Sequence, residues 1–163
     1  AACATSGGIA LWHGEGVSPE AGAMEPHLAG LERIAVTASD IEEAVARLTG
    51  PLDDPVIALG CPHSSLEELR EIAGLVGGRD YGGQLWVFTS RGVYSRAEEA
   101  GHVGAIRAAG GRVFRDTCMV VAPLTEMGWT EVATNSFKAG HYMAGMGMKT
   151  RIGPIRELLG GNP

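Results

Sequence analysis

The sequence predicts a three-layer α/β/α domain built on a mainly parallel sheet. Three observations carry that expectation. Short apolar runs bounded by Gly or Pro read as strands. They alternate with capped amphipathic stretches, the pattern of βαβ units with right-handed crossovers. Polar or sulfur-bearing residues follow several of the strand ends, where open α/β sheets collect their ligands.

Residues 1–12 (AACATSGGIALW) read as the tail of a small-residue helix buried against something, and His13–Ala21 as a loop that stays irregular to about Gly30. His13 and His27 are expected to be solvated or hydrogen-bonded loop histidines. The chain opens without an initiator Met and already reads as mid-helix. Residues 1–30 are therefore expected to continue from the missing part of a larger subunit, with the α/β domain over 31–163. Ile34-Ala35-Val36 reads as a short strand. Ser39 with Glu42 has capping-box spacing ahead of a helix that carries Ile41, Ala44, Val45 and Leu48 and ends at Gly50.

Val56–Gly60, bounded by Pro55, reads as a buried strand. Ser65 and Glu68 then form a second capping box, and Leu66, Leu69, Ile72, Ala73 and Val76 recur on one helical face. Cys61 thus falls at a strand's carboxyl end just before a helix N-terminus, a position expected to favour its thiolate. Glycines loosen the chain between Gly77 and Gly83 before the strand Gln84–Thr89. Ser95 and Glu98 repeat the capping spacing ahead of a helix bearing Val103 and Ile106, which stops near Gly110-Gly111. Arg112-Val113-Phe114 is the next strand. Asp116-Thr117-Cys118 follows it and leads through Met119–Ala122 to Pro123. Glu131–Thr134 is a further strand, with Asn135-Ser136 capping a helix to about Met146. Lys149–Ile152 reads as the last strand and Ile155–Leu159 as a final helical turn.

The 163 residues suit one domain with an ordinary core. A net charge of −6, from 13 basic and 19 acidic residues, argues against an electrostatic nucleic-acid binder. No apolar run is long enough to span a membrane and no secretory signal is visible. The 3 cysteines are too scattered for a disulfide scaffold and point to a reducing cytoplasm.

If the strands are parallel, three groups converge on one sheet edge: Cys61-Pro62-His63-Ser64, Asp116-Thr117-Cys118, and Thr134-Asn135-Ser136 with Lys138. Two thiolates there suit a metal or an iron–sulfur cluster. Helix N-termini, hydroxyls and a lysine suit a carboxylate or phosphate. Equally, two such cysteines are small buried hydrophobes, and Thr134-Asn135-Ser136 is an ordinary cap. Cys61 and His63 as nucleophile and base is a weaker alternative, because i, i+2 spacing makes their contact awkward. His141 and Tyr142 read as packing residues, and Met143, Met146 and Met148 as core fillers.

Gly60-Cys61-Pro62-His63-Ser64, Asp116-Thr117-Cys118-Met119-Val120-Val121-Ala122-Pro123 and Thr134-Asn135-Ser136-Phe137-Lys138-Ala139-Gly140-His141-Tyr142, in that order, resemble the aconitase X family. The upstream loop His13–Ala21 resembles the same family. What the resemblance implies is an aconitase-domain-like fold within the C-terminal portion of a large subunit, and a hydro-lyase that dehydrates a small hydroxy acid. The family's activities include cis-3-hydroxy-L-proline dehydratase, the slightly preferred reading, and phosphomevalonate dehydratase. A non-catalytic α/β module that binds a small anion is the alternative from another class. The resemblance brings an iron–sulfur cluster or related iron centre held by three cysteines, two of them matching Cys61 and Cys118. His63, Ser64, Thr134, Asn135, Ser136 and Lys138 would line the substrate pocket. The implied partners are the rest of the large subunit and a small swivelling subunit or domain that supplies the catalytic base. The chain departs from the family in two respects. Cys3 lies where the resemblance is weak and Gly153–Leu159 lacks the cysteine expected there, so either the third ligand is outside this piece or the centre is altered. Nothing matches the family's catalytic serine base, so the piece alone is expected to be inactive.

Overall fold

The strands Val56–Ser64 (β1), Leu85–Thr89 (β2), Arg112–Arg115 (β3), Glu131–Thr134 (β4) and Lys149–Ile152 (β5) form one sheet in the order β3-β2-β1-β4-β5. Every neighbouring pair is parallel. This computed structural model describes residues 1–24 and 27–160. Glu25 and Pro26, in the irregular stretch before Gly30, and residues 161–163, at the end of the expected 31–163 domain, lie outside the described residues. The order turns back at β1, since β2 and β3 are laid down on one side of it and β4 and β5 on the other. The crevice beyond the carboxyl ends of β1 and β4 is therefore the topological switch point.

The helices Leu66–Leu75 (α4), Arg91–Glu99 (α5) and His102–Ala108 (α6) cover one face. There Leu69, Ile72, Val76, Tyr94, Ala97, Val103 and Ile106 pack on Leu59, Leu85, Val87 and Val113. On the other face lie helix Phe137–Gly145 (α7) and the irregular segment between β3 and β4, which pack on Val56, Ala58, Trp86, Phe88 and Val132. That crossover has no helix; side chains anchor it instead. Met119 is fully buried, and Trp129 stands edge-on to Trp86 at 6.2 Å. Phe114 stacks on Phe88 at 5.2 Å beneath it. The outer layer is thus half helix and half pinned loop.

Several local expectations are corrected. Thr37, not Ser39, caps helix Ala38–Arg47 (α3), with Asp40 completing the box. Ser90, not Ser95, caps α5, and Ser95 instead donates back to the Arg91 carbonyl from inside the helix. Capping spacing recurs by chance along a helix; only the residue with extended backbone can act. The expected single helix is two, because Gly101 breaks it at φ 80°. Ile34-Ala35-Val36 is not a strand: Ile34 and Val36 are exposed, and the segment has no place in the sheet. The outer side of β5 is already covered by residues 48–50, where Gly50 N–H donates to the Thr150 carbonyl and the Thr150 hydroxyl to that of Leu48. The small-residue helix at the start is only Ala2–Gly7 (α1), and none of its residues is buried. Ala21–Met24 is one further turn (α2), and Ile155–Leu158 another (α8). No helix among the described residues is long and apolar enough to cross a membrane.

β1 does not run straight through the sheet. Ile57, Ala58 and Leu59 face Leu85, Trp86 and Val87. Continued evenly, that register would put Cys61 opposite Thr89, yet Ser64 stands there. The chain between makes an excursion that begins at Gly60, whose φ is 99°. A Cβ on Gly60 would run into the Phe88 carbonyl oxygen. The excursion closes where the Thr89 hydroxyl donates to the Ser64 carbonyl at 2.7 Å. Strict alternation would set Cys61 on the α4–α6 side with Ile57 and Leu59. The excursion turns it instead to the α7 side, among Val56, Ala58 and Met119.

At the opposite end of the sheet, the largely buried Glu131 holds the strand starts together. It accepts from the Asp53 and Asp54 amides and from Lys149 Nζ at 2.7 Å. These bonds, with Lys149 foremost, hold its carboxyl below the ordinary value of 4.5.

Two outcomes follow from these contacts. Gly60→Ala should destabilise the protein by about 2 kcal/mol or more, from positive-φ strain plus the clash with Phe88, as measured by denaturant unfolding. Glu131→Gln should lower stability fully at neutral pH, because a depressed carboxyl contributes above its unfolded pKa. The deficit should close as pH falls through the folded-state value. Melting temperatures of both proteins between pH 3 and pH 7 check it; a gap that does not narrow in acid would refute this role for the carboxylate.

Candidate functional site

The switch-point crevice is a cleft of about 340 Å³ lined by Cys61, Pro62 and His63 from the β1 excursion, Asn135, Ser136, Phe137 and Lys138 from the start of α7, Glu68 of α4, and Ala1 and Ala2. Ser136 is its keystone. The Ser136 hydroxyl accepts from Ala139 N–H as the cap of α7 and donates to the Cys61 carbonyl, tying β4's exit to β1's. Asn135 carries a buried side-chain oxygen with no hydrogen-bond partner among the described residues.

Cys61 is 4% exposed, and burial pushes its thiol up. Lys138 opposes that shift, and the neighbouring Cys118 adds to it. The expectation of a helix-favoured thiolate is thereby corrected. β1 continues to Ser64 and the helix cap is Ser65, so Cys61 lies inside the strand, where desolvation dominates. A raised pKa also weighs against a free thiol nucleophile.

Cys118 reaches this region from β3, two strands away. Asp116 takes a left-handed turn at φ 57°, a conformation that Asp tolerates better than most residues. The turn is pinned by Asp116 N–H donating to the Thr89 carbonyl. The Asp116 carboxylate accepts from the Arg91 amide and from Arg91 Nε, each at 2.8 Å. These Arg91 contacts, the amide first, hold the Asp116 carboxyl low. Beyond Cys118, Met119 plugs the core.

The remaining residues singled out from sequence divide between the cleft and the scaffold. His63, Asn135, Ser136 and Lys138 line the cleft. Ser64 and Thr134 are buried outside its lining. Ser64 lends its carbonyl to Thr89, and the Thr134 hydroxyl accepts from Ser136 N–H and points to Met119 Sδ. Arg91, which the sequence suggests only as a nearby positive charge, proves to hold the Asp116 turn. The signal for it was Ser90, a cap directly after the β2 strand, which places Arg91 in a helix's first turn beside Asp116. Among the described residues, no three His, Cys, Asp or Glu side chains converge on a metal position. Cys3 is exposed on α1. What the chain offers there is two neighbouring soft thiols, Cys61 and Cys118, beside Lys138.

The sequence pattern of the aconitase X third domain matches residues 55–160. The chain belongs to the aconitase X family. It is 46% identical over 147 residues to the phosphomevalonate dehydratase large subunit of Methanothermobacter thermautotrophicus, covering 90% of this chain and 37% of that protein. The phosphomevalonate dehydratase large subunit of Methanocaldococcus jannaschii is 39% identical, covering 99% of this chain and 40% of that protein. The cis-3-hydroxy-L-proline dehydratase of Pseudomonas aeruginosa is 33% identical, covering 99% and 30%. The holo-form crystal structure of Thermococcus kodakaraensis aconitase X superposes with a TM-score of 0.74 at 31% identity, covering 82% of this chain and 35% of that one. The aconitase X third domain is therefore this sheet with its switch-point cleft, and the chain spans about two fifths of its large-subunit relatives.

Replacing Ser136 by Ala should remove a cap and strand the buried Cys61 carbonyl, a loss of about 2–3 kcal/mol. Ser90→Ala, which removes a cap alone, should lose about 1 kcal/mol. Equal losses in urea unfolding would show that the bond to Cys61 contributes nothing.

Proposed function

We propose that this chain is the third domain of the large subunit of an iron-dependent hydro-lyase, and that the substrate is phosphomevalonate. The observation that carries the reading is that Cys61 lines the switch-point cleft while Cys118, outside its lining, is brought near by the bond between His63 and Thr117. The identities favour phosphomevalonate over cis-3-hydroxy-L-proline, the substrate preferred on sequence alone: phosphomevalonate dehydratase relatives reach 46%, 40% and 39%, though others fall to 34% and 31%, and the hydroxyproline dehydratases stand at 33% and 32%.

In this reading Cys61 and Cys118 are two ligands of the iron–sulfur cluster or related iron centre, and the rest of the subunit supplies the remaining one. When bound, such a centre supplies a Lewis acid that eases departure of the substrate hydroxyl. The chain's own residues bind and orient. Lys138, in the first turn of α7, offers a positive charge to the substrate's carboxylate or phosphate, reinforced by the helix's amino end. Asn135, which lines the cleft, meets the substrate's polar groups. Ser136 fixes the Cys61 backbone, and His63 borders the cleft. Ser64 and Thr134 support the wall from behind. The proton acceptor comes from a small swivelling subunit or domain, the protein works in the cytoplasm, and residues 1–30 lead in from the rest of the large subunit toward the 31–163 domain.

The test is anaerobic reconstitution of the full-length large subunit with iron and sulfide, followed by absorbance and EPR. Cys61→Ser and Cys118→Ser should each abolish the signal, and the reconstituted protein with its small subunit should dehydrate phosphomevalonate in preference to cis-3-hydroxy-L-proline. Wild-type iron uptake in both variants would overturn the assignment. A ligand-dependent rise in melting temperature without iron, unaffected by either substitution, would point to a non-catalytic anion-binding module.

A further inference from the structure

His63 Nε2 lies 2.8 Å from the Thr117 carbonyl oxygen. A carbonyl can only accept, so Nε2 carries the proton and donates. The bond spans two cysteine-bearing segments, since His63 lies two positions after Cys61 and Thr117 directly before Cys118. A short closed path therefore runs from Cys61 through Pro62 and His63, across the hydrogen bond, and through Thr117 to Cys118. On its far side, the Asp116 turn is held by Arg91 and Thr89. On its near side, the Cys61 carbonyl is held by Ser136.

We infer that His63 is a positioning residue that sets the separation of the Cys61 and Cys118 thiols through Thr117, with Asp116 and Arg91 as the second anchor of the Cys118 loop. The inference rests on the reading of both thiols as ligands of one centre, and it gives His63 a role distinct from contacting substrate. The loop needs the clasp because β3 is separated from β1 by β2, and no sheet hydrogen bond joins the two segments directly. The Arg91–Asp116 pair is largely exposed. Such pairs add little stability, so its consequence is the direction in which the turn sends Cys118.

The test uses the full-length subunit in wild-type, His63→Ala, His63→Gln and Asp116→Ala forms. In iron-free protein, alkylation at Cys118 and Cys61 is followed separately by peptide mass analysis. His63→Ala and Asp116→Ala should each raise the Cys118 rate about three- to tenfold, the range of one net hydrogen bond, and leave Cys61 unchanged. His63→Gln, whose amide donates from a similar reach, should restore the wild-type rate. After reconstitution, His63→Ala should broaden the EPR signal and speed iron loss to a chelator by a similar factor, again with rescue by Gln. A wild-type Cys118 rate in His63→Ala would overturn the inference. So would equal acceleration at both cysteines, which would mean that the domain opens as a whole. If the wild-type protein takes up no iron, the reading of the centre fails, while the alkylation rates still decide the positioning role.

Discussion

The site depends on one backbone constraint, the approach of Gly60 to the carbonyl of Phe88. A parallel strand alternates its side chains, and even alternation would direct Cys61 into the apolar layer beneath α4, α5 and α6. A residue without a Cβ lets β1 leave its ladder at that point and rejoin it at Ser64, under the Thr89 hydroxyl. The interruption weakens the ladder locally, and that loss is made good by side chains. Thr89, Ser136 and His63 each donate to a main-chain carbonyl at the strand ends. These bonds bind neighbouring elements together where sheet bonds have stopped.

The same logic explains why the face that carries the cysteines is built differently from the other. Three helices seal the α4–α6 side with aliphatic side chains. The opposite side has α7 and a helix-free crossover, held down by Met119, Leu124 and Trp129 over the Trp86, Phe88 and Phe114 rings. A helix in that crossover would present a regular ridge over the sheet. The pinned loop instead carries Cys118 sideways across two strands toward the switch point. Burial there raises the Cys61 thiol and Lys138 opposes it, so the two effects meet at the residue that the fold turns inward.

The fold class was legible in the sequence because strand and helix periods are local properties. The β1 run, the Ser65–Glu68 box and the β4–α7 junction stand where spacing put them. Spacing failed where the signal was only a pair of residues. Ser39–Glu42 and Ser95–Glu98 have capping separation, yet Thr37 and Ser90 hold the extended backbone that a cap needs. Ile34-Ala35-Val36 has strand composition, but the residues along β5 are those at 48–50.

By itself, the sequence determined that Asp116-Thr117-Cys118 and Asn135-Ser136 follow strands, and its ordered motifs pointed to the aconitase X family. Only the tertiary structure decided strand order, and hence that β1 and β4 flank the switch point while Cys118 must travel from β3. It also decided that Ser64 and Thr134 face inward and His63 binds Thr117, because these depend on non-local contacts. Which way Cys61 points is the clearest instance. It follows from a carbonyl at Phe88, 28 residues along the chain from Gly60, which no local pattern around the cysteine contains.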